Sequence, residues 1–201
     1  MRRLSMLGIT VVLIAVVLSG CAATVDTQPA PKTTPVASPT SKSSFGPEPN
    51  WGVATRTTGC QFNGPIQDKA CTPGAIFPDA TKAKICTPGY AGSVRNVTTS
   101  MKNKVYAAYG IKTRKPGQYQ VDHLISLQLG GSNDISNLWP EPAEPKPGFH
   151  EKDRIENYLH DEICKGNISV REAQIQIATN WPAVYERMPK SNANDRDVDG
   201  E

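Results

Sequence analysis

The stretch DHLISLQLGGSNDISNLW, residues 122–139, sets a carboxylate and an imidazole side by side at Asp122 and His123, a Gly-Gly turn at Gly130 and Gly131, and an asparagine at Asn137. The apolar content of VDHLISLQL predicts a β-strand with Val121, Leu124, Leu127 and Leu129 in the core, and the GGSND run that follows is a turn signal. The return limb then carries Asn137 back towards His123, where its amide would fix the tautomer and orientation of the ring. Adjacent side chains on a strand point to opposite faces, so Asp122 and His123 serve one site only where the backbone is irregular. An irregularity is therefore expected there.

Beyond the proline-rich stretch PEPAEPKPG lies HEKDRIENYLHDEIC, in which Ile155, Leu159 and Ile163 recur at a spacing of four, one face of an amphipathic helix. At about 100° per residue His150 falls opposite that apolar stripe, on the side of Arg154, Asn157 and Asp161. Two strands and a helix around one cation would have the parts that phosphodiester hydrolysis needs. An imidazole with an ordinary pKa of about 6.5 accepts a proton from water, and a carboxylate ligates a cation that holds charge on the phosphate and leaving oxygen.

These residues resemble the HNH endonuclease family, in a branch of secreted or anchored bacterial proteins. The resemblance covers about residues 72–185 and is anchored on TPGAIFP, ICTPGY, YQVDHLISLQLGGSNDISNLWPEP and KDRIENYLHDEIC. It implies the ββα-metal arrangement, with His123 as general base, Asn137 as the middle asparagine orienting it, and Asp122 and His150 as metal ligands. The cation it implies is one Mg²⁺ or Mn²⁺, with Zn²⁺ or Ni²⁺ admitted by an imidazole ligand. Two departures stand out: Ser126 occupies a position that is often proline, and the paired CxxC knuckle of many HNH enzymes is absent. Arg154 lies outside the motif and is read as a phosphate contact.

The chain opens MRRLSMLGITVVLIAVVLSGC, with a charged start at Arg2 and Arg3, an apolar run too short to span a bilayer, and Leu-Ser-Gly before Cys21. Residues 1–20 read as a signal peptide, and LSGC resembles the lipobox that makes Cys21 a lipidated N-terminus. Two or more acyl chains would anchor the protein stably outside the cytoplasmic membrane, in the bacterial cell envelope. Residues 21–50, rich in Pro, Ser, Thr and Ala, form a tether too polar to fold, and residues 191–201 an acidic tail of the same kind. One domain, residues 51–190, remains. Its class is α+β: an HNH-type motif embedded in a small, mainly helical, disulfide-containing domain, with a helix over TTSMKNKVYAAYG and another over REAQIQIATNW capped by Ser169 and Glu172.

Apart from Cys21 there are four cysteines, Cys60, Cys71, Cys86 and Cys164, an even count that argues for two disulfides in an exported chain. Three pairings exist. The favoured one joins Cys60 to Cys71 as a local clip and Cys86 to Cys164 as a long-range tie.

The formal charge is +3, and loss of Arg2 and Arg3 with the leader leaves +1, so net charge does not announce a nucleic-acid binder. Locally, Lys102, Lys104, Lys112, Arg114 and Lys115 come with no acid between them just before the motif strand, and Lys112, Arg114 and Lys115 are read as phosphate-binding. The expected function is a membrane-tethered, metal-dependent nuclease that hydrolyses DNA, with RNA as a further substrate, at low sequence specificity. The competing expectation is a noncatalytic envelope lipoprotein that keeps the HNH fold as a binding or structural module.

Overall fold

Residues 46–190 are described in the computed structural model. The expected signal peptide, the lipidated Cys21, nearly all of the tether and the acidic tail lie outside the described residues. Three helices come first: α1 (Lys82–Ile85), α2 (Tyr90–Val94) and α3 (Thr99–Ala108). They are followed by β1 (Tyr119–His123) and β2 (Leu138–Pro142), then by α4 (Phe149–Lys165) and α5 (Val170–Arg187). The class is α+β, with far more helix than strand. Among the described residues no helix is long and apolar enough to cross a membrane.

The two strands pair antiparallel, with Asp122 opposite Trp139 and His123 opposite Leu138. The expected strand through Leu129 is cut short at His123, and Leu127–Leu129 forms a single 3-10 turn instead. The reason is visible in the burial. Leu124, Ile125, Leu127 and Leu129 are all at most 1% exposed, and an alternating strand could not bury consecutive side chains on one face. The chain coils inwards and returns through the Gly-Gly turn. Gly130 closes the 3-10 turn at φ 81°, and a Cβ on Gly131 would stand 1.7 Å from the Ile125 carbonyl oxygen, so no side chain fits there.

Helix α4 begins where Glu151 reaches back to accept the Gly148 N–H at 2.7 Å, and it ends at Gly166 in the left-handed conformation. Its apolar stripe packs against α5, and Ile155, Leu159 and Ile163 are 1% exposed or less. Each such burial contributes about 1.5 to 3 kcal/mol. Helix α3 is capped by Thr98, which accepts from Met101 N–H, and α5 by Ser169, which accepts from Glu172 N–H. Helix α5 runs beyond the expected end at Trp181 to Arg187. It does so across a kink at Asn180, whose side chain caps the second segment by accepting from Ala183 N–H. Pro182, which lacks an N–H and crowds the preceding turn, accounts for the break.

Two disulfides staple this frame, Cys60–Cys71 and Cys86–Cys164. The first closes a loop around Asp68, and the second ties the end of α1 to the end of α4.

Candidate catalytic site

His123 is the last residue of β1, and its ring is buried, with 3% of the residue exposed. Its Nε2 lies 3.2 Å from Asn133 Oδ1. The orientation of the Asn133 amide is fixed independently, because Nδ2 donates to the Val94 carbonyl at 2.7 Å and Oδ1 accepts the Asn96 N–H at 3.0 Å. Oδ1 can only accept from the ring, so neutral His123 carries its proton on Nε2 and its lone pair on Nδ1. Burial pushes the His123 pKa below its ordinary 6.5, with the charges of Arg95 and Lys152 acting in the same direction. Asp122 and Asn133 oppose that shift. The ring is therefore poised as a neutral base near pH 7.

Asn137 has a different task from the one expected. Its Oδ1 accepts the Ile125 N–H at 3.0 Å, and its Nδ2 donates to the carbonyls of Ile125 at 3.0 Å and Ser132 at 2.8 Å. The fully buried amide thus locks the loop between the strands, and the ring-orienting role falls to Asn133. A buried asparagine serves either purpose, and only the fold of the loop decides which backbone groups it meets.

On the other face of β1, Asp122 meets α4. Lys152 Nζ donates to Asp122 Oδ2 at 2.8 Å, to the His123 carbonyl at 2.8 Å, and to Glu156 Oε1 in a short contact. Glu141 from β2 completes the surround, with Oε2 3.7 Å from the same ammonium. Lys152 and Glu141 are wholly buried, and Glu156 nearly so. Burial alone would discharge Lys152, but the three carboxylates hold its pKa well above the usual lysine value. In turn, Lys152 outweighs burial at Asp122 and keeps it ionised.

Glu141 is pushed the other way, well above the usual carboxyl range, first by burial and then by its acidic neighbours. Both carboxyl oxygens of Glu141 are buried without a hydrogen-bond partner among the described residues. Asp153, one residue beyond Lys152, is pushed up to about 7 by burial and by the charges of Glu156 and Asp122. Three acids, Asp122, Glu141 and Glu156, therefore face one ammonium.

No protein-family model, curated protein or solved structure matches the chain.

The structure does not bring His150 to Asp122. His150 is exposed at the start of α4, with its ring 4.3 Å from that of Phe149, and it lies two residues before Lys152, about 200° around the helix. Lys152, not His150, is the α4 side chain on Asp122. Arg154 extends over the Tyr185 ring of α5 at 5.7 Å, and Arg114 over the Tyr106 ring at 3.8 Å. Lys112, Arg114 and Lys115 are exposed on the connection between α3 and β1.

A separate group could hold a metal ion. Cys86, His160 and Cys164 place ligand atoms within 4.8 Å of one another, the one such group among the described residues. His160 Nε2 lies 3.6 Å from Cys164 Sγ. Both sulfurs are joined to each other, so the group offers thiolates only after reduction.

Lys152, Asp153, Glu156, Glu141 and Asn133 were not singled out from the sequence. Lys152 and Glu156 did leave a signal: they stand seven and three residues before Leu159 on the stripe that also holds Ile155 and Ile163. Charges at core positions of an amphipathic helix announce a buried ionic cluster. Asn133 left none, since its partners come from a segment almost forty residues upstream.

Proposed function

We propose that this protein hydrolyses phosphodiester bonds in DNA or RNA, with His123 as general base. The observation that carries the reading is the pinned tautomer of His123: Asn133 holds Nε2–H and leaves Nδ1 as the proton acceptor at the end of β1. The resemblance of residues 122–139 to HNH endonucleases supports it, as does the sequence of two antiparallel strands and a helix in which α4 closes on β1.

The donor set suits one hard divalent cation. Asp122 is the carboxylate that would hold it, its Oδ2 now on Lys152 Nζ at 2.8 Å. Mg²⁺ and Mn²⁺ commonly bind through one or two carboxylates and fill their remaining positions with water and substrate oxygens. With His150 turned away, the imidazole argument for Zn²⁺ or Ni²⁺ loses its basis. The cation would supply charge stabilisation at the phosphate. The chain's own residues do the rest. His123 Nδ1 takes the proton of the attacking water, Asn133 holds the ring against rotation, and Lys152 keeps Asp122 ionised.

The two disulfides, the leader and the LSGC sequence at Cys21 support a site of action outside the cytoplasmic membrane, in the cell envelope. A second reading, a noncatalytic module, is favoured by one observation: Lys152 already satisfies Asp122 without a cation. The deciding experiment is plasmid degradation by the chain with Mg²⁺ or Mn²⁺, with EDTA, and as His123→Ala. Metal-dependent cleavage that disappears in the variant is expected. No cleavage, or cleavage unchanged in the variant, rejects the nuclease in favour of the binding module.

A further inference from the structure

A cavity of about 390 Å³ lies between α3, the loop of residues 54–60 and the start of β2, and neither His123 nor Asp122 nor Lys152 lines it. Its walls are apolar, formed by Val105 and Ala108 of α3, Leu138 of β2 and the Cys60–Cys71 disulfide. Small-molecule sites commonly have this form, about 300 to 1,000 Å³ of mainly apolar lining with a few polar groups that fix orientation. The hydroxyls of Thr72 and Tyr109 reach the same cavity but stand 2.9 Å apart and satisfy each other. Thr57, Thr58 and Lys104, all exposed, are left to meet a ligand.

The mouth of the cavity is apolar as well. Val53 and Ile135 are the two large apolar residues that stand exposed among the described residues, at 51% and 43%. Ile135 lines the cavity, and Val53 adjoins Ala54, which lines it too. Exposed apolar side chains gathered around a concavity mark a place where an apolar group binds. Two of them are too few for a protein partner, since a stable interface covers about 800 Å² on each side. They suit a molecule small enough to enter.

Charge narrows the choice further. Lys104 is the one charged residue of the lining, and its ammonium makes no ion pair among the described residues. No Asp or Glu lines the cavity, and none occurs in the sequence between Asp79 and Asp122. A lysine stem laid along an apolar wall leaves its ammonium in water, where it can meet an anionic head.

We infer that this cavity binds a small amphipathic anion, a monocarboxylate whose hydrocarbon body fills the apolar space and whose head pairs with Lys104. The assignment is independent of phosphodiester hydrolysis and uses none of its residues.

Amide NMR of the isotope-labelled full chain tests it with octanoate, octanol and octylammonium, which share one hydrocarbon body and differ in charge. Octanoate is expected to shift the amides of Val105, Ala108 and Ile135 with a Kd of about 0.1 to 1 mM. Octanol should bind more weakly than octanoate, and octylammonium more weakly than octanol. Two substitutions at exposed lining positions should each weaken octanoate by about tenfold or more: Ala107→Trp, which fills the cavity, and Ile135→Asp, which sets a carboxylate at its mouth. Lys104→Ala should weaken octanoate about twofold to fivefold, as loss of an exposed ion pair does, and leave octanol unchanged. Lys102→Ala, at an exposed residue outside the lining, should change neither.

Thermal melting identifies the variants that fold, and Ile135→Asp carries the comparison if Ala107→Trp does not. No octanoate binding below about 10 mM, shifts confined to other residues, or undiminished binding in a folded cavity variant would overturn the assignment. So would octylammonium or octanol binding as tightly as octanoate, or Lys104→Ala without effect. Shifts of the same amides with protein concentration in the absence of ligand would overturn it in favour of a second copy of the chain.

Discussion

The ring of His123 and the side-chain amide of Asn133 meet at 3.2 Å, and the amide is itself clamped by the backbone of residues 94 and 96. This contact decides which ring nitrogen can accept a proton. It also joins the α2 end of the domain to the end of β1, so the ring is oriented by a segment far from it in sequence.

That relationship has a pH signature. Burial, aided by Arg95 and Lys152, holds the His123 pKa below 6.5, so the acid limb of kcat/KM falls below that pH. In Asn133→Asp a carboxylate faces Nε2 and favours the imidazolium. The limb then moves to higher pH and activity at pH 6 drops, which a pH–rate profile of both proteins measures.

Lys152 is the centre of the buried ionic cluster, and its removal strands the carboxylates it serves. Lys152→Ala is expected to lower stability by about 3 to 5 kcal/mol, the usual cost of breaking a buried pair from one side. Denaturant unfolding monitored by tryptophan fluorescence reports the loss through Trp139 and Trp181, both buried. A change below about 1 kcal/mol would mean that the cluster is dispensable.

Asn137→Ala leaves the Ile125 N–H and the Ile125 and Ser132 carbonyls without their side-chain partner inside the loop. Each orphaned buried group costs about 1 to 3 kcal/mol, so a loss of at least about 2 kcal/mol is expected. Because the role is to lock the loop rather than to orient the ring, the residual activity of the folded fraction should keep the wild-type acid limb. Unfolding and the pH–rate profile, measured on one preparation, separate the two.

Asp68 accepts from Gln61 N–H at 2.8 Å, Ala70 N–H at 3.0 Å and Arg56 at 2.6 Å. Burial raises its pKa, but these partners outweigh burial and hold it below 3.8. A depressed carboxyl pKa contributes stability that is complete above pH 3.8, shrinks as the pH falls further, and is gone once the folded-state group is protonated. Asp68→Asn should therefore melt at a temperature that depends less on pH in that acid range than the wild type does.

The Cys86–Cys164 bond closes a separation of 78 residues and the Cys60–Cys71 bond one of 11. Chain entropy assigns about 4 to 5 kcal/mol to the first and about 3 kcal/mol to the second, so the double Cys→Ser change at 86 and 164 should lower Tm more than that at 60 and 71. Since Cys86, Cys164 and His160 form a metal-capable group, Zn²⁺ should raise the Tm of the reduced chain and leave that of the oxidised chain unchanged. Calorimetry with a non-chelating phosphine reductant tests both statements.

Local interactions made part of this molecule legible in its sequence. The spacing of Ile155, Leu159 and Ile163 announces α4, the Ser169 cap announces α5, and the Gly130-Gly131 turn announces the return towards Asn137, because caps, turns and helical stripes involve residues a few positions apart. The favoured cysteine pairing was likewise within reach of the sequence, although spacing left three alternatives.

What tertiary structure decided was every contact between distant segments. Strand β1 stops at His123 because Leu124 and Ile125, adjacent in the chain, must both reach the core together with Leu127 and Leu129. The amide facing the His123 ring comes from Asn133 because residues 94–96 hold it there, and the α4 side chain on Asp122 is Lys152 rather than His150 because of the helix's rotation about its own axis. Hydrogen bonds of side chains depend on positions to within a few tenths of an ångström and on angles. Those are set when the whole core packs, not by the order of the residues along the chain.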